Sequence, residues 1–192
     1  MTERDAKSDH ILDAALPVFV RHGFRKASMA DIARAAGISR ASLYLSFSSK
    51  EELFRAGSTR AHARTMQDVA AVLAGHGDVF ERLEGAVAAF HEGLIAPFAG
   101  SADAVELFDV NMALARDITL AARDRLVALL AQALADAQGA GAVAPDRLQA
   151  RPVDLAGVIV AAMDGIKHAP GDGAQREDHM RLFMRLLHAA IA

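Results

Sequence analysis

Between Ala27 and Phe54 the chain reads ASMADIARAAGISRASLYLSFSSKEELF, and this short stretch starts a helix three times. Ser28 is placed to cap the first of these helices, in which Met29, Ile32, Ala33 and Ala36 recur at i, i+3, i+4 and i+7. Gly37 suits the left-handed conformation that ends a helix and turns the chain sharply. Ile38 then anchors the turn, Ser39 caps again, and Leu43 with Phe47 forms an inward i, i+4 pair. Ser49 is placed to cap a further helix that begins at Lys50. Two short helices joined by a glycine turn make a helix-turn-helix pattern.

The rest of the chain agrees with a helical architecture. Of 192 residues, 53% are hydrophobic, with only five prolines and no tryptophan, and no stretch alternates with period two long enough to suggest a sheet. Gly23, Gly37, GHGD at 75–78, AGSAD at 99–103, GAGAVAP at 139–145 and APGDG at 169–173 punctuate it. The expected fold is all-α with about nine helices, near 6–22, 28–35, 39–46, 50–74, 78–97, 102–114, 118–138, 152–168 and 174–191. The expected domains are 1–49, carrying the helix-turn-helix, and 50–192, a helical body. In the first helix Ile11, Leu12, Ala15, Leu16, Phe19 and Val20 form the expected core stripe, with a bend or an irregular turn expected at Pro17. The absence of cysteine excludes disulfides and thiolate chemistry. With a charged start and no run of eighteen apolar residues, the expectation is a soluble, cytoplasmic chain without a membrane partner.

Charge is unevenly distributed. Net charge is −3, yet residues 1–60 hold ten Lys and Arg against seven Asp and Glu, leaving eleven against seventeen in the remainder. A basic head on an acidic body suits a polyanion that meets the head alone. The outward side of the third helix carries Arg40, Ala41, Ser42, Tyr44 and Leu45. Arg40 at its N-terminal end can reach guanine O6 and N7, Ala41 is small enough to meet a thymine methyl, and Tyr44 offers a hydroxyl to a phosphate. Lys50 adds charge beside a helix N-terminus. On spacing alone, a glycine turn between two short helices serves many helical proteins equally well.

The stretch from about Ile11 to Leu53 resembles the DNA-binding domain of the TetR family of bacterial transcription regulators. The likeness lies in AALPVFVRHGF, in ASMADIARAAGIS with its turn, and in SLYLSFSSKEELF. By that resemblance Arg40, Ala41, Tyr44 and Leu45 face bases, while Ser28, Ser42, Tyr44 and Lys50 hold the DNA backbone. Ser46 departs from the family's usual aromatic or histidine. The implied function is a DNA-binding transcriptional regulator, a repressor that binds a palindromic double-stranded operator as a homodimer and is released by a small, largely apolar effector.

In the body, aromatic and methionine side chains mixed with isolated polar groups suit a ligand cavity. The expected lining is Phe80, Val87, Phe90, His91, Leu94, Phe108, Asn111, Met112 and Met163. The last two helices are apolar over wide stripes and call for a second neighbour, expected to be the same pair from a twin subunit, with Val160, Met180, Phe183 and Leu187 at the interface. The alternative function is a helical-bundle enzyme acting on a small hydrophobic substrate. Against it, the eight histidines are scattered and neither HExxH nor Glu-x-x-His occurs. No catalytic residue, metal or cofactor is expected.

Overall fold

The computed structural model describes residues 3–98, 103–167 and 169–192. Nine α-helices run through these residues: α1 (Glu3–Lys26), α2 (Met29–Ala35), α3 (Arg40–Tyr44), α4 (Lys50–Leu73), α5 (Val79–Leu94), α6 (Ala104–Leu114), α7 (Arg116–Gly139), α8 (Pro152–Lys167) and α9 (Gly173–Ile191). Short 3₁₀ turns occupy Ala96–Phe98 and Pro145–Leu148, the latter beginning at the last residue of the GAGAVAP break. Most of the AGSAD break, the first residue of the helix expected over 102–114 and the last of that expected over 152–168 lie outside the described residues.

The chain forms two compact units, each discontinuous in sequence. One comprises Met1–Ala63 with Gly93–Leu120, the other Arg64–Glu92 with Ala121–Ala192. These are drawn differently from the division expected after residue 49, because the first half of α4 and all of α6 pack with α1 to α3. Leu53 of α4 and Leu107 of α6 are buried in the same cluster as Ile11, Phe19, Ile32 and Leu43.

In the first unit, Ile11, Leu12, Ala15 and Phe19 of α1 are buried as the spacing predicts, but Leu16 is 43% exposed and Val18 is buried in its place. The stripe therefore turns about the helix by slightly less than the predicted width. Pro17 lies inside α1, and the residue of α1 with non-helical dihedrals is Gly23, at φ 70° and ψ 164°. Glycine adopts that conformation without a Cβ clash, whereas proline leaves one carbonyl of the preceding turn without its helical donor. Beyond the break, Phe24 joins Phe19 and Phe54 in a cluster with ring centroids 5.2–5.7 Å apart. Arg60 of α4 donates to the Asp9 and Asp13 carboxylates of α1 at 3.1 and 2.6 Å.

Arg55 of α4 makes a bidentate pair with Asp117, one arm at 2.7 Å, and donates to the Leu114 carbonyl at 2.7 Å. Through these bonds the guanidinium holds the Asp117 carboxyl down to about 2, from an ordinary value of 3.8. A carboxyl lowered in the folded state stabilises it above the unfolded pKa, and that contribution fades as pH falls through the folded value. The melting-temperature gap between wild type and Asp117→Asn should therefore be constant above about pH 5 and close between about pH 4 and pH 2. A gap independent of pH would remove the ion pair from the stability of this unit.

The second unit packs the later half of α4 with α5, α7, α8 and α9 around Leu83, Leu126, Leu130, Leu134, Ile159, Met184 and Ile191, none more than 1% exposed. Asp164 of α8 pairs with Arg123 of α7, and the Ala144 amide donates to the Ile191 carbonyl at 2.6 Å, tying the chain end to the 3₁₀ turn.

Candidate nucleic-acid interface

The local chemistry of α2 and α3 follows the sequence closely. The Ser28 side chain accepts the Asp31 amide at 3.2 Å, and the Asp31 carboxylate accepts the Ser28 amide at 3.2 Å and its hydroxyl at 2.5 Å, completing a capping box. Those bonds, the Ser28 hydroxyl first, hold the Asp31 carboxyl below its usual range. At the other end of α2 the Ile38 amide donates to the Ala33 carbonyl at 3.0 Å and the Gly37 amide to the Arg34 carbonyl at 3.2 Å. This pair of bonds is a Schellman stop, with Gly37 at φ 64°. No atom lies within 4 Å of where a Cβ on Gly37 would stand, so the restriction there is conformational and not steric crowding. Gly37→Ala should lower stability by about 1–2 kcal/mol in chemical denaturation. An unchanged midpoint would mean that the turn relaxes freely.

Ser39 caps α3, accepting the Ser42 amide at 3.0 Å. Leu43 is fully buried and Phe47 is 6% exposed, so the inward pair clamps this five-residue helix onto the core of its unit. The opposite face is open. Arg40 and Ala41 are exposed, Tyr44 is 44% exposed and Leu45 is 81% exposed, while Ser42 is half-buried. The Arg40 guanidinium lies 5.8 Å from the Tyr44 ring centroid, a cation–π contact that narrows the choice of Arg40 rotamers. A leucine so exposed gains nothing from its own chain, and it suits contact with an apolar group such as a thymine methyl. Arg25, Lys26 and Arg34 are exposed on the same unit.

Lys50 was expected to meet phosphate, but its three ammonium protons face backbone carbonyls of its own unit: Phe24 at 2.6 Å, Ala27 at 2.9 Å and Arg25 at 3.4 Å. Its charge also sits 4.3 Å from the Phe24 ring centroid. At the start of α4 the Ser48 amide and hydroxyl are likewise taken, by Glu52 at 2.7 and 2.5 Å. Sequence spacing carries no sign of the Lys50 contacts, because they depend on where the end of α1 and the start of α4 meet in space, whereas Ser48 and Glu52 stand one helical turn apart in the chain.

The expected effector lining is not gathered in one unit. Phe80, Val87, Phe90, His91 and Met163 belong to the second unit, whereas Leu94, Phe108, Asn111 and Met112 belong to the first. Phe80 and Val87 are core residues, His91 is exposed and Met112 is 45% exposed. Asn111 instead closes a polar chain in which Ser58 donates to its side-chain oxygen at 2.9 Å and its amide donates to Thr119 at 2.8 Å. Next to it lies His62, a residue the sequence did not single out; it is only 9% exposed, and burial holds its imidazole below the usual range against the opposing pull of the Ser58 carbonyl. One surface cleft is bordered by Glu84, Asp178, Arg181 and Arg185 and another by Ala14, Pro17, Val18, Arg21, His22 and Ala35, and none of the nine expected residues borders either.

The side chains expected between subunits are similarly occupied. Val160 and Leu187 lie in the core of the second unit, and Met180 and Phe183 pack against it. The large apolar residues that α8 and α9 leave uncovered are Val153, Val158, Leu182 and Leu186, at 44%, 52%, 47% and 62% exposure. Among the described residues no group of three or more His, Asp or Glu side chains is placed to hold a metal ion, and no helix is long and apolar enough to cross a membrane.

Residues 11–56 match the family described as bacterial regulatory proteins, tetR family. The chain is 46% identical over 52 residues to the HTH-type transcriptional regulator YfiR of Bacillus subtilis, covering 27% of this chain and 25% of that one. It is 39% identical over 89 residues to the HTH-type transcriptional activator FasR of Mycolicibacterium smegmatis, covering 46% and 41%. The matches thus span less than half the length of these curated relatives. Across its whole length the fold matches that of a TetR-family transcriptional regulator from Mesorhizobium loti, with a TM-score of 0.77 at 18% identity and 100% coverage of both chains.

Proposed function

We infer that this chain, a member of the tetR family of bacterial regulatory proteins by its residues 11–56, is a transcriptional regulator that reads double-stranded DNA with α3. The observation that carries the reading is the division of α3 into a buried side, Leu43 with the following Phe47, and an open side, Arg40, Ala41, Tyr44 and Leu45. A helix so short contributes little to a core, and its outward residues suit base edges and thymine methyls in a major groove. Ser42 and Tyr44 offer hydroxyls to the flanking backbone, whereas the Ser28 hydroxyl is already given to the Asp31 carboxylate.

The regulator works as a homodimer, with two α3 helices related by a two-fold axis on successive turns of an imperfect palindrome. The uncovered apolar surface of α8 and α9 supports this assembly. Leu182, Leu186 and Ala189 follow one another at i, i+4 and i+7 on α9, with Val158, Ala161 and Gly165 similarly spaced on α8, and all six are exposed. It acts in the cytoplasm as a repressor, released by a small, largely apolar ligand taken up among side chains such as Phe80, Val87, Phe90 and Met163. The ligand acts by preferring a conformation in which the two reading helices are wrongly spaced, and it can shift DNA affinity by no more than that preference.

The decisive experiment is selection of bound duplexes from a random pool by the full chain. An enriched palindrome is expected, and a pool without any enriched sequence would overturn the reading. Transcription in vitro from a promoter carrying the selected site should fall when the chain is added; a rise would place it among activators. On the selected site Arg40→Ala should relax preference at one base position by about 1–3 kcal/mol. Equal weakening on every sequence would take Arg40 out of the base-reading set.

A further inference from the structure

We propose that Lys50 is a positioning residue, one that clasps the junction between α1 and α2 and sets the entry of the DNA-reading helices, and that it takes no phosphate. An ammonium has three protons and no acceptor. In Lys50 those protons have the carbonyls of Phe24, Ala27 and Arg25 before them, at 2.6, 2.9 and 3.4 Å, with the Phe24 ring beneath the charge at 4.3 Å. These carbonyls belong to the short turn that follows the break at Gly23, where no continuing helix supplies them with donors. Swinging the amine out to a phosphate would leave two part-buried carbonyls without their partner, a loss that a solvated phosphate contact does not offset.

The same junction is held from a second helix. The Glu106 carboxylate of α6 accepts the Arg25 amide at 2.8 Å. Gly23 allows that approach, since a Cβ there would stand 3.0 Å from the second Glu106 oxygen. Residues 23–27 are thus fixed by a cation on their carbonyls and an anion on an amide, and Ser28, the cap of α2, follows at once. From there the Schellman turn at Gly37 leads into α3, so an error in the direction of residue 28 is passed to Arg40 and Tyr44. The inference rests on the DNA-reading role proposed above, but its first test needs no DNA.

Wild-type full-length chain is reductively methylated with formaldehyde and cyanoborohydride, and each lysine is followed by mass spectrometry with and without the selected duplex. Lys50 should react on the order of tenfold more slowly than the exposed Lys26 in the free protein, with no further protection by DNA. Labelling at the rate of Lys26, with protection appearing only in the complex, would overturn the proposal. In a second arm Lys50→Met and Lys50→Arg are titrated against the selected duplex and a scrambled one over a range of salt. Both variants should lose on the order of tenfold on the selected duplex, with little change on the scrambled one and the wild-type salt slope. A planar guanidinium cannot meet three carbonyls converging on a point, although it binds phosphate well. A slope reduced by about 0.9 in Lys50→Met, with affinity restored by Lys50→Arg, would establish a phosphate contact and sink the clasp. If selection yields no preferred duplex, the DNA reading fails, and the labelling of the free protein still decides the geometry at Lys50.

Discussion

Leu182→Glu combined with Leu186→Glu should convert the chain into a folded monomer that binds the selected palindrome about 10²–10⁴-fold more weakly. Both leucines are among the most exposed large apolar residues of the chain, and they sit one turn apart on α9. Neither contributes to the core of its unit, so placing charge there costs the single chain little, in contrast to Phe183 or Leu187, which pack on or within that core. In a dimer, each charge would be driven into an apolar interface without a partner, and a desolvated carboxylate costs far more than the contact it replaces is worth. The loss on DNA follows from the arithmetic of two linked heads, since the second half-site is bound at an effective concentration that a monomer does not have. Sedimentation, circular dichroism and DNA titration check the three parts. A variant that remains dimeric and binds as tightly as wild type would place the interface on another surface.

Leu43→Ala should destabilise the first unit by about 2–5 kcal/mol and abolish specific DNA binding before the second unit melts. Leu43 is fully buried among Ile11, Ile32, Phe47 and Leu53, and its carbonyl accepts the Ser46 and Phe47 amides at 2.9 Å. A helix of five residues has almost no stability of its own, because nucleation fixes three residues before a single hydrogen bond is gained. The place of α3 is set chiefly by this one side chain and Phe47, and truncation removes both transfer energy and packing. Chemical denaturation followed by signals from the two units would show the first losing stability alone. A loss below about 1 kcal/mol would mean that the site collapses around alanine and that α3 is held by its caps.

The reading surface was legible in the sequence because every signal for it is local. The Ser28 and Ser39 caps, the stop at Gly37 and the i, i+4 pair of Leu43 and Phe47 each act within one or two turns, and all four stand in the structure where the spacing put them. Helix ends were legible for the same reason, as in α4 and α8, where boundaries are set by neighbouring residues. The break in α1 falls at Gly23, six residues beyond Pro17, because glycine enters the left-handed region without a Cβ clash, whereas proline keeps a helical φ.

What only the tertiary structure decided is how wide amphipathic stripes are shared between neighbours. Val160, Met180, Phe183 and Leu187 are apolar at helical spacing, and so are Val158, Leu182 and Leu186; periodicity treats the two sets alike, and only packing distinguishes the side turned to the chain's own core from the side left open. The partner of a long flexible cation is beyond local pattern for the same reason. Lys50 lies more than twenty residues from the carbonyls it meets, and a contact between groups so far apart along the chain exists only once the helices carrying them have packed.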